Sequence, residues 1–254
     1  MKMDDTRGAL IVTGASRGIG AATARLAGAQ GYSVAVNFSG NEADAAAVVN
    51  DIVSTGGRAV VIRADVASES DVVRMFDTAE RELGPIRALV NNAGLTAGAT
   101  RVEAVTLEAL QRVFAVNAIG TILCSREAVR RMSTRSGGAG GGIVNISSLA
   151  ARIGGAGEWV HYAASKGAVD SFTIGLAREV AAEGIRVNAV APGIIETGLH
   201  AASGVADRLP RLKSAIPMQR LGSPAEVAEG VLWLLSPAAS YITGTILDVA
   251  GGRG

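Results

Sequence analysis

Glycines 14, 18 and 20 of Thr13-Gly14-Ala15-Ser16-Arg17-Gly18-Ile19-Gly20 stand between a short apolar run, residues 9–13, and a helical pattern, residues 18–31. A strand that turns into a helix through such a loop needs backbone freedom that only glycine supplies, and this placement belongs to doubly wound α/β folds. The alternation then continues. Short apolar runs at 33–37, 59–62, 88–91, 143–146, 185–190 and 246–249 read as strands. Helical patterns fill 42–55, 68–83, 107–132, 162–182 and 225–235 between them. The third helix opens on a cap-like Ser-Glu-Ser-Asp and stops at Gly84-Pro85. In the last, Val227, Val231, Leu234 and Leu235 fall on one face. The expectation is a single Rossmann-type, doubly wound parallel sheet of about seven strands with helices on both faces.

Composition fits that core. Hydrophobic residues make up 48% but aromatics only 4%, so Ala, Val, Ile and Leu must fill the interior, as in parallel strands covered on both faces. The 254 residues suit one large α/β domain, residues 1–254. The Gly-rich stretch 136–142 runs straight into a strand and reads as a turn, not a linker. Residues 193–217 are the least regular and are expected to form a substrate lid. A net charge of +1 gives no footprint for nucleic acid and no polybasic membrane anchor. Neither a signal peptide nor a membrane span follows the charged start, so a cytoplasmic location is expected. Cys124 is the single cysteine, excludes an internal disulfide and reads as a small core residue.

The helix expected after Gly18 would aim free N–H groups and a positive dipole end at an anion, and the three glycines would let a pyrophosphate approach. With its spacing of G-x-x-x-G-x-G after a first strand, the loop reads as a dinucleotide site. Many NAD sites carry an acidic residue at the end of the second strand; here the chain reads Val36-Asn37-Phe38-Ser39. Arg17 can face a 2′-phosphate with a planar charged fork, and Asn37 and Ser39 can donate beside it. NADP(H) is therefore expected over NAD(H).

Tyr162-Ala163-Ala164-Ser165-Lys166 puts a phenol and an ammonium one helical turn apart, on one face. A nearby cation lowers a phenol pKa and would make Tyr162 a usable acid or base near neutrality. Asn145-Ile146-Ser147-Ser148 ends the fifth strand, Asn91-Asn92-Ala93-Gly94 the fourth, and Asp65-Val66 follows the third, all at the edge where such sheets gather ligands.

Taken in order, T-G-x-x-x-G-x-G, D-V, N-N-A-G, a helix asparagine, S-S, Y-x-x-x-K and P-G resemble the short-chain dehydrogenase/reductase family in its single-domain form. The resemblance spans essentially the whole chain. It implies that Tyr162 is the catalytic acid/base, that Lys166 lowers its pKa and holds the nicotinamide ribose, and that Ser148 orients the substrate oxygen. Asn117 would hold a water in the proton relay. Gly14, Ser16, Arg17, Gly18, Ile19 and Gly20, with Asp65, Val66, Asn92, Ala93, Gly94, Pro192, Gly193, Ile195 and Thr197, would line the cofactor. Ser147, adjacent to Ser148, is expected to face the other way as a structural residue. The resemblance further implies a homotetramer acting on small-molecule carbonyls or alcohols, in the manner of 3-oxoacyl-carrier-protein reductases or of NAD-dependent sugar and polyol dehydrogenases. A non-catalytic NADP-binding regulator is the rival of another class, and a sugar-nucleotide epimerase would need an extra substrate domain.

Other residues have plainer readings. His161 is expected as a partly exposed helix-start residue, with substrate contact the alternative, and His200 carries the same ambiguity. Trp159 can wall the pocket, and Trp233 reads as core or subunit interface. Arg126, Arg130, Arg131 and Arg135 suit a helix C-terminus, with docking of an acidic carrier the sharper reading. Two histidines and one cysteine offer no metal-ligand cluster.

Overall fold

The computed structural model describes residues 7–196 and 213–254. Seven parallel strands form one sheet in the order β3-β2-β1-β4-β5-β6-β7. They are β1 (Ala9–Val12), β2 (Ser33–Phe38), β3 (Arg58–Arg63), β4 (Ile86–Asn91), β5 (Gly141–Ile146), β6 (Ile185–Pro192) and β7 (Ile246–Val249). The chain winds outward from β1 through β2 to β3, then crosses to the other side of β1 to lay down β4. The carboxyl ends of β1 and β4 therefore diverge into loops that leave a crevice between them.

Alternation along each strand feeds two cores. Leu10 and Val12 join a cluster with α1 (Gly18–Ala29), α2 (Glu42–Ser54) and α8 (Pro224–Leu235). Ala9 and Ile11 point to the other face and pack with α3 (Glu69–Leu83), α5 (Gly120–Met132) and α7 (Val160–Val180). Val227, Val231, Leu234 and Leu235 are buried on one side of α8, as their spacing requires. Asn41, Ser68 and Thr106 cap α2, α3 and α4 (Leu107–Phe114) by accepting from backbone N–H groups of the first turn.

The helix expected across 107–132 is continuous but not uniform. A π-helical turn, Ala115–Ile119, lies between α4 and α5 and displaces the chain so that Asn117 turns fully inward. By length and composition alone Leu107–Met132 could cross a membrane. It buries Asn117, Ser125 and Glu127, however, and its Cys124, Ala128 and Met132 sit in the core beside the sheet. A short helix, α6 (Ala150–Ile153), follows β5 where the sequence shows only an Ala/Gly-rich loop. Most of the segment expected as a lid, residues 197–212, lies outside the described residues, as do Thr197 and His200.

Candidate active site

The loop after β1 is shaped by close backbone contacts. Gly14 and Gly18 have φ of +60° and +57°. A Cβ at Gly20 would stand 2.5 Å from Gly14 O, and one at Gly14 would stand 2.9 Å from Ala93 Cα. Neither could carry a side chain without moving the loop. Asn92 clamps the same turn, its Nδ2 donating to Thr13 O at 2.8 Å and Gly14 O at 2.9 Å. Arg17 occupies the N-cap position of α1 in extended geometry and makes no capping bond, and the first turn has no acidic residue. The first N–H groups of α1 thus face the loop without a side-chain acceptor, which fits a diphosphate.

This loop borders a cavity of about 990 Å³ that runs along the carboxyl ends of the strands. Gly14, Ser16, Arg17, Gly18, Ile19 and Ser39 line one end; Asp65, Val66, Asn92, Ala93 and Gly94 the middle; Ser148, Tyr162, Lys166, Pro192, Gly193 and Ile195 the rest. Gly20 lies behind the loop, buried.

The catalytic candidates converge from three elements. Ser148, just past β5, lines the cavity with the Tyr162 phenol, and its Oγ accepts the Ala150 N–H at 3.1 Å. Lys166 lies one turn further along α7, its Nζ donating to Ile146 O at 2.6 Å and standing 5.8 Å from the Tyr162 ring centroid. Asn117 accepts from the Leu95 N–H at 2.9 Å and donates to Leu95 O and to Ser165 Oγ, each at 2.9 Å. A methyl group at Gly94 would stand 3.4 Å from both Asn117 Oδ1 and Lys166 Nζ, so all three meet at one point of the cavity. Ser147 is buried, and its Oγ donates to Lys166 O at 3.5 Å.

The family model described as Enoyl-(Acyl carrier protein) reductase matches residues 14–253. The chain belongs to the short-chain dehydrogenase/reductase family. An uncharacterized oxidoreductase, YgfF of Escherichia coli (strain K12), is 52% identical over 243 residues, covering 96% of this chain and 98% of that protein. A 3-oxoacyl-[acyl-carrier-protein] reductase of Synechocystis is 39% identical over 95% of each chain. Among solved structures, a blue fluorescent protein from a metagenomic library, in complex with NADPH, superposes with a TM-score of 0.90 at 34% identity, covering 99% of this chain and 100% of that one. This short-chain dehydrogenase/reductase is an oxidoreductase of alcohol and carbonyl groups that uses NAD(P).

Several expectations for this enzyme need correction. Asn37 is not free to meet a 2′-phosphate. It is buried, its Oδ1 accepts the Gly14 N–H at 3.1 Å, and its Nδ2 donates to Ile62 O and Ala64 O. It braces the glycine loop instead. The Tyr162 phenol is pushed up by burial, with Ser148 pulling the other way, so the expected lowering by Lys166 is not what this arrangement gives. Burial drives the Lys166 ammonium down to about 8, opposed by Asp170. His161 is buried, not partly exposed, and its Nε2 meets Thr96 O at 2.8 Å, outside the cavity wall. Trp233 is exposed. Trp159 lines the cavity and meets Tyr162 edge-on, ring centroids 6.4 Å apart.

The arginines after Cys124 do not form a free cationic patch. Arg126 pairs with Glu69, Arg130 with Glu127, Arg131 with Asp77 and Glu127, and Arg135 with Glu183. Cys124 is buried, with its thiol pushed up to about 12, and is inert. Among the described residues no group of His, Cys, Asp or Glu could hold a metal. Sequence reasoning missed Asp44, in the first turn of α2, and Arg112, which pairs with Asp65; both reach the cavity wall. The first-turn position of Asp44 was readable, but only the fold shows that α2 begins at the cavity.

Proposed function

We propose that this enzyme reduces a ketone, a 3-oxoacyl thioester or a similar small carbonyl compound, to a secondary alcohol with NADPH. The observation that carries the reading is the convergence of Ser148, Tyr162 and Lys166 on the same cavity as an uncapped helix N-terminus and its glycine loop. A nicotinamide held by the residues named below would supply the hydride to the carbonyl carbon. Ser148 Oγ holds the carbonyl oxygen while the Tyr162 hydroxyl transfers its proton to that oxygen. A phenol raised by burial keeps its proton at neutral pH, which suits it to act as the acid. The Lys166 ammonium, charged below about pH 8, stands beside the phenolate left behind. Asn117 fixes Leu95 and Ser165 around this point as the positioning residue.

Ser16, Gly18, Ile19, Ala93, Gly94, Pro192, Gly193 and Ile195 would hold the dinucleotide, with Arg17 and Ser39 at the 2′-phosphate. The preference for NADP(H) rests on the Arg17 guanidinium, exposed at the cavity end and free of any carboxylate among the described residues. Asp44 supports a second reading, an NAD-dependent sugar or polyol dehydrogenase, because it brings a carboxylate to the same rim. We read residues 1–254 as one cytoplasmic unit that assembles as a homotetramer. Exposed Leu107, Ile119 and Ile122 along α4 and α5 support pairing between subunits.

The test follows NADPH and NADH oxidation against a panel of ketones and 3-oxoacyl thioesters. Reduction with higher kcat/KM for NADPH is the expected result. NADH preference would transfer the enzyme to the second reading. Dinucleotide binding without turnover on any substrate would leave a regulatory binder and overturn the proposal.

A further inference from the structure

The cavity has a guanidinium at each end, and only one of them is accounted for by a dinucleotide. Arg17 stands at the carboxyl end of β1. Arg253 lines the same cavity from beyond β7, on the opposite side of Tyr162 and Ser148, which follow β5. Between them, Arg112 is neutralised by Asp65. Arg253 has no carboxylate partner among the described residues.

The local structure places Arg253 deliberately. Gly251 and Gly252 have φ of +62° and +84°, and the Arg253 N–H donates to Ala250 O at 3.2 Å. Two successive positive φ values close a tight turn that reverses the chain. The turn is pinned on both sides: Gly193 N–H donates to Val249 O at 3.0 Å, and Met218 N–H donates to Gly251 O at 3.1 Å. Side chains at 251 and 252 would press on Ile216 and Pro217. A rigid, doubly anchored turn that ends on an arginine at a cavity wall is a means of presenting charge, since a guanidinium forks onto carboxylates in a fixed geometry.

The geometry points to Arg253 as a specificity-determining residue that binds a carboxylate on the substrate, at the end away from the adenosine side of the cofactor. The substrate class is then an oxo acid whose carboxylate lies beyond its reacting carbonyl. β5 and β7 are separated by two strand spacings, about 10 Å, and the reach of the arginine shortens that gap to the length of a short chain. This inference rests on the carbonyl-reductase reading above.

The experiment measures kcat/KM of the full-length wild type and of Arg253→Ala and Arg253→Lys for 4-oxopentanoate and 5-oxohexanoate, each beside its methyl ester. The readout is the acid-to-ester ratio. We expect the wild type to favour an acid and Arg253→Ala to lose that preference by about tenfold or more, as for a charge-assisted hydrogen bond, with Arg253→Lys between. A ratio that does not change in Arg253→Ala overturns the inference while ester reduction keeps the reductase reading intact. A raised Kd for NADPH with an unchanged ratio assigns the arginine to the dinucleotide and also overturns it. If the wild type reduces neither acids nor esters, nor any ketone of the panel, both readings fall.

Discussion

Helices α1 and α8 share one core on the same face of the sheet and begin in opposite ways. α8 completes its own start: Ser223 Oγ accepts the Glu226 N–H at 3.3 Å, Glu226 Oε2 accepts the Ser223 N–H at 2.8 Å, and Pro224 opens the helix. α1 has an arginine at its cap position, no side-chain acceptor and no acid in its first turn. α7 resembles α1, beginning at Trp159 without a side-chain cap. α5 also lacks a side-chain cap but only continues the helix before it; α1 and α7 start afresh without one, and both border the catalytic cavity, while α8 serves the core. A missing cap costs a helix about 1 kcal/mol, so α1 and α7 give up local stability at the places where function needs open donors or a reacting phenol.

The largest test separates the two uncapped helices from each other. Tyr162→Phe removes the proton donor on α7 and leaves the α1 loop untouched. Carbonyl reduction should fall by about 10²–10⁴-fold, with NADPH affinity by titration calorimetry unchanged. Affinity lost in step with turnover would show that the two helix starts do not have separate roles.

The next test concerns the cost carried by α7. In the folded protein burial holds the Lys166 ammonium at a pKa of about 8, below the 10.5 of a free lysine. The unfolded chain therefore binds more protons between those values, and stability should rise with pH across that window. Below pH 8 the full penalty applies, about 3 kcal/mol from a shift of this size. Lys166→Met should raise the unfolding free energy of the free protein at pH 7, and with it the urea midpoint, by up to that amount less about 1 kcal/mol for the hydrogen bond to Ile146 O, and flatten the rise above pH 8. A lower midpoint would mean that the ammonium supports the fold. Carbonyl reduction by the unaltered enzyme should also decline above pH 8, where the charge beside the phenolate is lost.

What the sequence revealed, and what it hid, follows the same division. Strands such as Ile246–Val249 were legible because an apolar run between turns has no other stable use. The glycine loop and the Tyr162/Lys166 spacing were legible because their chemistry is local in the chain. Asn37 was misread because its donors are consumed by β3, 25 and 27 residues away, in contacts that only strand pairing creates. The carboxylate partners of the arginines were hidden for the same reason: Glu69 and Asp77 come from α3, which packs beside α5 only in the folded sheet. The π-turn at Asn117 has no local signal, since Ala-Val-Asn-Ala-Ile would sit as readily in an ordinary helix. The fall of the tyrosine pKa failed because i,i+4 spacing says nothing about burial, and burial dominates here.

Converting α1 toward α8 gives a smaller but two-sided effect. Arg17 already has the extended backbone of a capping residue, φ −155° and ψ 171°. Arg17→Asp supplies an acceptor and a favourable charge at the dipole, so the free protein should gain about 0.5–1 kcal/mol. The same carboxylate repels the dinucleotide and removes the guanidinium, so NADPH affinity should fall by about tenfold or more. Stability gained without loss of affinity would show that the open start of α1 is not reserved for the cofactor.

The smallest effect comes from making α8 like α1. Ser223→Ala removes the acceptor for the Glu226 N–H and loosens the Glu226 carboxylate, which Arg220 and the Ser223 N–H now hold down to about 2. The loss should be about 1 kcal/mol in urea denaturation. NADPH affinity should not change, because Ser223 and Glu226 lie off the cavity wall. If affinity fell with stability, α8 would be transmitting strain into α1 through their shared core, and the separation of a structural helix start from a functional one would not hold.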